Sequence, residues 1–172
     1  HRNIVLVAGS LVFYAVGEPV YVFLMIASIV VNFFLALGIS KYRGSITGKL
    51  LLVLAAMVDF GMLFFFKYLG FFAENICALL GRNAPEINLI LPLGISFYTF
   101  QIMSYIIDVY RKKYPAGRNL IEVAAYISMF PQLIAGPIVT FDEVQPRLRE
   151  RKISPANIEN GLLLFVVGLV YK

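Results

Sequence analysis

The sequence predicts an all-α, polytopic transmembrane helical protein with one re-entrant segment. Three observations carry that prediction. Apolar residues make up 60% of the 172, and the charged 15% bunch between long apolar runs instead of spreading along the chain. The mean hydropathy is +0.81. An ordinary soluble domain holds roughly 45–50% apolar residues and needs charge over its whole surface. Residues 1–172 read as one partial membrane domain. Its ends, at His1-Arg2-Asn3 without a methionine and at Val170-Tyr171-Lys172 inside an apolar run, read as cut.

Taken in order, Ile4 to Val16 is an apolar run closed by a Gly17-Glu18-Pro19 turn, and is short for a span. Val20 to Ile39 is interrupted only by Ser28 and Asn32 and matches the roughly 20 residues that cross a hydrocarbon core. A basic, glycine-containing loop from Lys41 to Lys49 follows. Leu50 to Phe66 is the next span, with Asp59 near its middle and Lys67 at its end, and Phe71 to Leu80 continues it. After a polar loop from Gly81 to Asn88, Pro92 is expected to open a helix to about Tyr110, where its missing N–H costs nothing. Asn119-Leu120-Ile121-Glu122 reads as a capping box whose helix breaks at Phe130-Pro131. Ser154-Pro155, an N-cap followed by proline at the first helical position, starts the last helix. About five membrane-embedded segments result.

Positive charge orders these segments. Lys41, Arg43 and Lys49 form one cluster, Arg111, Lys112, Lys113 and Arg118 a second, and Arg147, Arg149, Arg151 and Lys152 a third, which together hold most of the 15 Lys and Arg residues. Basic loops stay cytoplasmic. Two crossings separate the first two clusters, whereas the stretch between the second and third is too short for two. Asn119 to Val139 is therefore expected to enter the membrane and return, with breaks at Pro131, Gly136 and Pro137. The rival is a surface helix in the interface. The net charge of +5 does not point to nucleic acid, because the cations sit at the ends of apolar runs and not on a solvated face. Cys77, a lone cysteine, excludes an internal disulfide.

Polar groups in hydrocarbon are costly, so each needs a reason. Tyr98, Gln101, Tyr105 and Asp108 recur at helical spacing, with Ser104 beside them. The stripe either lines a pocket or bonds neighbouring helices, and Asp108 is expected to pair with Arg111. Asp59 is the most buried-looking charge and, as a mid-span carboxylate, a functional-site candidate; the alternative is an ion pair with Lys67 or with a basic group in the missing half. Asn32 reads as an interhelical hydrogen bond.

Leu91 to Gln101 (LPLGISFYTFQ) followed by Ser104 to Arg111 (SYIIDVYR), then Phe130 to Ile138 (FPQLIAGPI) and Gly161 to Leu169 (GLLLFVVGL), resemble signatures of the membrane-bound O-acyltransferase superfamily. The likeness is to its alginate O-acetyltransferase branch and to the N-terminal half of such proteins. It implies a multi-pass protein of the cell inner (plasma) membrane that passes an acetyl group through a tunnel. The donor would be acetyl-CoA or another acetyl carrier, and the acceptor an exported polysaccharide. It also implies a soluble extracytoplasmic acetyltransferase as partner, beside the bilayer and the C-terminal half of the parent chain. Tyr98, Gln101, Ser104, Tyr105, Asp108 and Gln132 become candidate lining residues. The family's catalytic histidine has no counterpart here, since the only histidine, His1, lies outside every matching motif. No catalytic or metal-ligating set is read from the chain. A transporter or flippase component, or a purely structural membrane subunit, remains the alternative, because broken helices and mid-membrane polar groups also occur in carriers.

Overall fold

The computed structural model describes residues 2–80, 89–135, 139–150 and 154–171, with the side chains of Pro131, Ile134 and Ala135 left aside. The expected Gly81–Asn88 loop, the Gly136-Pro137 break and Arg151-Lys152 lie outside the described residues. Among the described residues there are nine helices and no strand: α1 (Arg2–Gly17), α2 (Tyr21–Lys41), α3 (Ile46–Lys67), α4 (Leu69–Leu79), α5 (Ile95–Tyr110), α6 (Leu120–Ser128), α7 (Phe130–Ala135), α8 (Phe141–Arg149) and α9 (Pro155–Val170). Two of them, α2 with 21 residues and α3 with 22, are long and apolar enough to cross a membrane; at about 1.5 Å per residue each spans roughly the 30 Å hydrocarbon core.

The caps decide where helices begin. Ser45 accepts a hydrogen bond from the Gly48 N–H at 3.2 Å, so α3 starts ahead of its apolar run. Asn119 caps α6 by accepting from Ile121 at 2.9 Å, and Ser154 caps α9 by accepting from Asn157 at 3.2 Å, with Pro155 at the first turn as expected.

Three expectations are corrected here and one helix is new. Helix α5 does not open at Pro92: Gly94 takes a left-handed φ of +71° and the helix begins at Ile95. A Cβ at position 94 would stand 2.8 Å from the Leu133 carbonyl oxygen, so glycine permits both the turn and the close approach of α7. The break after α6 comes at Met129, ahead of Phe130-Pro131. Pro131 then falls in the first turn of α7, where its missing N–H is tolerated. Only half of the capping box forms, because the Glu122 carboxylate is taken by Arg149 and Gln145. Finally, α8 was not expected. Asp142 and Glu143 in its first turn and Arg147 and Arg149 in its last complement the helix dipole. Phe141, Val144 and Leu148 are its buried face.

Helix α2 packs against α3 and α5, α3 against α5, and α1 against α6. The buried stripe of α2 runs through Val22, Met25, Ile29, Asn32, Ala36 and Ile39, a three-four alternation that presents one face to its neighbours. Hydrogen bonds tie the two ends of this bundle. At one end Tyr14 and Tyr21 donate through their hydroxyls to the Leu93 and Ile90 carbonyls, each at 3.0 Å. At the other, Arg43 donates to the Tyr114 carbonyl at 3.0 Å, joining the first two basic clusters. Arg149, of the third cluster, donates to Glu122 at 3.0 Å. The segment from Glu122 to Arg149 thus comes back to its own beginning.

Candidate functional site

A polar knot sits inside the three-helix core. Asn32 on α2 donates its amide to Asp59 Oδ1 on α3 at 2.7 Å and to the Ser28 carbonyl at 3.0 Å. Asn32 and Asp59 are both fully buried. Asn32 is therefore an interhelical bond, as read from sequence, but the Asp59–Lys67 pair does not form: Lys67 Nζ reaches Ser96 Oγ at 3.5 Å instead. Tyr98 of α5, fully buried, lies within electrostatic reach of Asp59 and of Tyr14.

The stripe on α5 divides into two kinds of residue. Gln101 donates its amide to the Tyr126 carbonyl at 2.8 Å, and the Tyr105 hydroxyl accepts from the Gly117 N–H at 2.9 Å. Asp108 pairs with Lys113 at 3.3 Å and accepts from the Tyr114 hydroxyl at 3.4 Å. This corrects the expected Arg111 partner. Lys112 adopts a φ of 64°, which turns the chain so that Lys113 comes back over the helix end. Ser104 is half-buried. By contrast the Tyr98 hydroxyl, Asp59 Oδ2, Asn32 Oδ1 and Gln132 Oε1 have no hydrogen-bond partner among the described residues. Groups of the first kind are occupied in holding helices together. Those of the second kind are buried and still able to bond something else.

Around Gln101 and Tyr105 an aromatic cluster closes the core. The rings of Tyr105 and Phe141 lie 4.9 Å apart, those of Tyr126 and Phe141 5.3 Å, and those of Tyr105 and Tyr126 6.3 Å. Tyr126 also donates to the Val139 carbonyl at 2.8 Å. A Cβ on Gly117 would meet Val123 at 2.8 Å and Phe141 at 3.0 Å, so the loop reaches Tyr105 only because position 117 has no side chain.

Several of these ties escape a reading by sequence. The tyrosines of the first two helices, the Arg43–Tyr114 bond and the Glu122–Arg149 pair join residues 27 to 79 positions apart, and no local pattern announces them. Helix α8 did carry a signal, acidic residues at its start and basic ones at its end, masked by Pro146 in its interior.

The comparisons with known proteins rest on sequence and point to O-acetyltransferases. Over its whole length the chain is 35% identical to a protein of Azotobacter vinelandii named probable alginate O-acetylase AlgI, covering 36% of that protein. It is equally similar, at 35%, to its namesake in Pseudomonas aeruginosa, of which it covers 34%. Over 97% of the chain it is 34% identical to a peptidoglycan O-acetyltransferase of Helicobacter pylori, covering 37% of it. The chain is thus similar along its length to O-acetyltransferases named for alginate and for peptidoglycan. It spans about a third of the length of the curated relatives it matches. No family model matches it, and no solved structure does. The close approach of Gly94 to Leu133 brings the stretch Leu91–Gln101 against the described part of the stretch that begins at Phe130.

Proposed function

We propose that the chain forms one wall of the acyl path in a multi-pass O-acetyltransferase of the inner membrane, which moves an acetyl group from a cytoplasmic carrier to an exported polysaccharide. The observation that carries this reading is similarity along the whole chain to O-acetyltransferases named for two different polymers, alginate and peptidoglycan. Such a wall needs an apolar surface with a few polar atoms left free to orient the travelling group. Tyr98 and Gln132, with their unpartnered hydroxyl and amide oxygen, supply those atoms. Gln101, Tyr105 and Asp108 hold the wall in shape.

The ties of Arg43 to the Tyr114 carbonyl and of Arg149 to Glu122 draw described members of the basic clusters towards one end of the bundle, which supports a cytoplasmic face there. The return of Arg149 to Glu122 supports the re-entrant course of residues 119–139. In transfer to a hydroxyl, the acceptor oxygen attacks the carbonyl carbon of the carrier ester or thioester while a base takes its proton; the acyl C–O or C–S bond to the carrier then breaks, and the departing carrier oxygen or sulfur takes up that proton. We assign that base, and the contact with a soluble extracytoplasmic acetyltransferase, to parts of the protein outside residues 1–172. The test is genetic and chemical: deleting the full-length gene should remove O-acetyl groups from the exported polysaccharide, and re-expression should restore them. Unchanged acetyl content in the deletion strain would refute the proposal.

A further inference from the structure

Between α1, α2 and α6 lies a cavity of about 400 Å³, within the roughly 300–1,000 Å³ typical of small-molecule sites. Ile4 and Leu11 of α1, Ile26 and Val30 of α2, and Leu120 and Ala124 of α6 line it. Every lining residue is apolar, so nothing in it would orient a polar solute, and hydrocarbon is the chemistry it fits. A second cavity, of about 280 Å³, lies further along α2, lined by Leu37, Ser40, Lys41, Pro115, Ala116 and Arg118. Val30 and Leu37 are about 10 Å apart along the helix, and Arg118 is two residues from Leu120. Lys41 and Arg118 are exposed, and neither forms an ion pair among the described residues. An apolar slot thus ends beside a small polar cavity carrying two unneutralised cations.

We propose that the two cavities together hold one anionic phospholipid of the leaflet that faces the basic loops, its phosphate between Lys41 and Arg118 and part of an acyl chain in the slot between α1, α2 and α6. Charge complementarity selects this occupant. A zwitterionic lipid would fill the slot but offer a phosphate already balanced by its own headgroup cation, whereas a further protein segment would have to bring both an apolar face and an anion. Each basic residue near an anionic headgroup contributes about 1 kcal/mol, roughly fivefold in affinity. The lipid would join α1 and α6 to the end of α2, next to the loop that carries Gly117 to Tyr105.

The inference rests on reading the chain as membrane-embedded. The test uses the full-length protein, purified in detergent and stripped of lipid, with native mass spectrometry following titration by phosphatidylglycerol or phosphatidylcholine. Phosphatidylglycerol should bind in preference, and Lys41→Gln with Arg118→Gln should weaken it by roughly 25-fold and abolish the preference. Ala8→Leu, which narrows the slot from α1, should weaken both lipids while leaving the preference in place. Equal binding of the two lipids, an unaltered affinity in the double variant, or displacement of the lipid by inorganic phosphate alone would each overturn the site. Retention of the protein in carbonate-washed membranes is measured in parallel: its failure would overturn the membrane reading as well, whereas equal lipid binding would overturn the site alone.

Discussion

Helices α2 and α9 are built from much the same residues and behave in opposite ways. Helix α2 buries Met25, Ala36 and Ile39 completely, with Asn32 among them. Helix α9 buries nothing, and Leu162, Leu164 and Phe165 are 61%, 70% and 64% exposed. Helix α4 likewise has no buried residue. Apolar composition makes a helix acceptable to lipid. Packing needs more: a stripe of matched faces and a polar group with a partner on the next helix. Because α2 has both, it organises the core, while α9 turns no residue into it.

The glycines give the sharpest way to break this contrast. Gly94→Val adds the strain of a branched residue at positive φ to a collision with Leu133, and should cost about 2–4 kcal/mol. Gly161→Ala and Gly168→Ala have open space around the new methyl and should stabilise by up to about 1 kcal/mol. Thermal unfolding of the full-length protein in detergent reads both. If the α9 substitutions proved as damaging as the one at Gly94, α9 would be a packed helix and the contrast would fail.

Truncation in the core comes next. Ile102→Ala should cost about 2–4 kcal/mol, against less than about 0.5 for Leu164→Ala on α9. The polar knot is smaller but more informative. Asn32→Leu leaves the Asp59 carboxyl buried without its amide, at a cost of about 1–3 kcal/mol. Adding Asp59→Leu should recover most of that loss, since replacing both partners removes the buried polar demand. A double variant no more stable than Asn32→Leu would show that Asp59 is held by something other than Asn32.

The smallest effect is at the basic end. The Arg149 guanidinium, with Gln145 adding to it, holds Glu122 below the usual carboxylate range against the opposing effect of burial. A carboxyl lowered in the folded state contributes stability above its unfolded pKa of about 4.3 and loses it as pH falls through the folded value. Glu122→Gln should therefore cost less than about 1 kcal/mol at neutral pH, because Arg149 is half exposed and screened. The gap from the unsubstituted protein should close in acid. A gap that widened below pH 4 would contradict the pairing.

Much of this architecture was legible, for physical reasons that also mark the limits. Apolar runs announce helices because a buried or lipid-facing helix must be apolar, and Asn119 and Ser154 announce caps because an exposed N–H needs an acceptor. Asn32, alone in an apolar run, announced an interhelical bond. Partners were less legible. Lys67 is eight residues from Asp59, about 12 Å along the same helix, whereas Asn32 meets it from the neighbouring helix. Arg111 is near Asp108 in sequence, yet the left-handed turn at Lys112 brings Lys113 over it instead. The proline at 92 was the visible helix-start signal and the glycine at 94 the operative one, because its reason is Leu133, far along the chain. The α5 stripe was read as one face. The structure divides it by hydrogen bonding, which spacing cannot reveal.

That division is also the centre of the functional account, and one measurement addresses it directly. O-acetyl content of the exported polysaccharide, per folded protein in the membrane, is compared for Tyr98→Phe and Tyr105→Phe in the full-length protein. Tyr105→Phe strips the acceptor from the buried Gly117 N–H, so folded protein should fall, by about 1–3 kcal/mol of stability, and acetylation should fall only in step. Tyr98→Phe removes a hydroxyl with no partner among the described residues, so folded protein should stay level while acetylation per molecule drops. Normal acetylation per molecule in Tyr98→Phe, at normal protein levels, would contradict the assignment of this face to the acyl path.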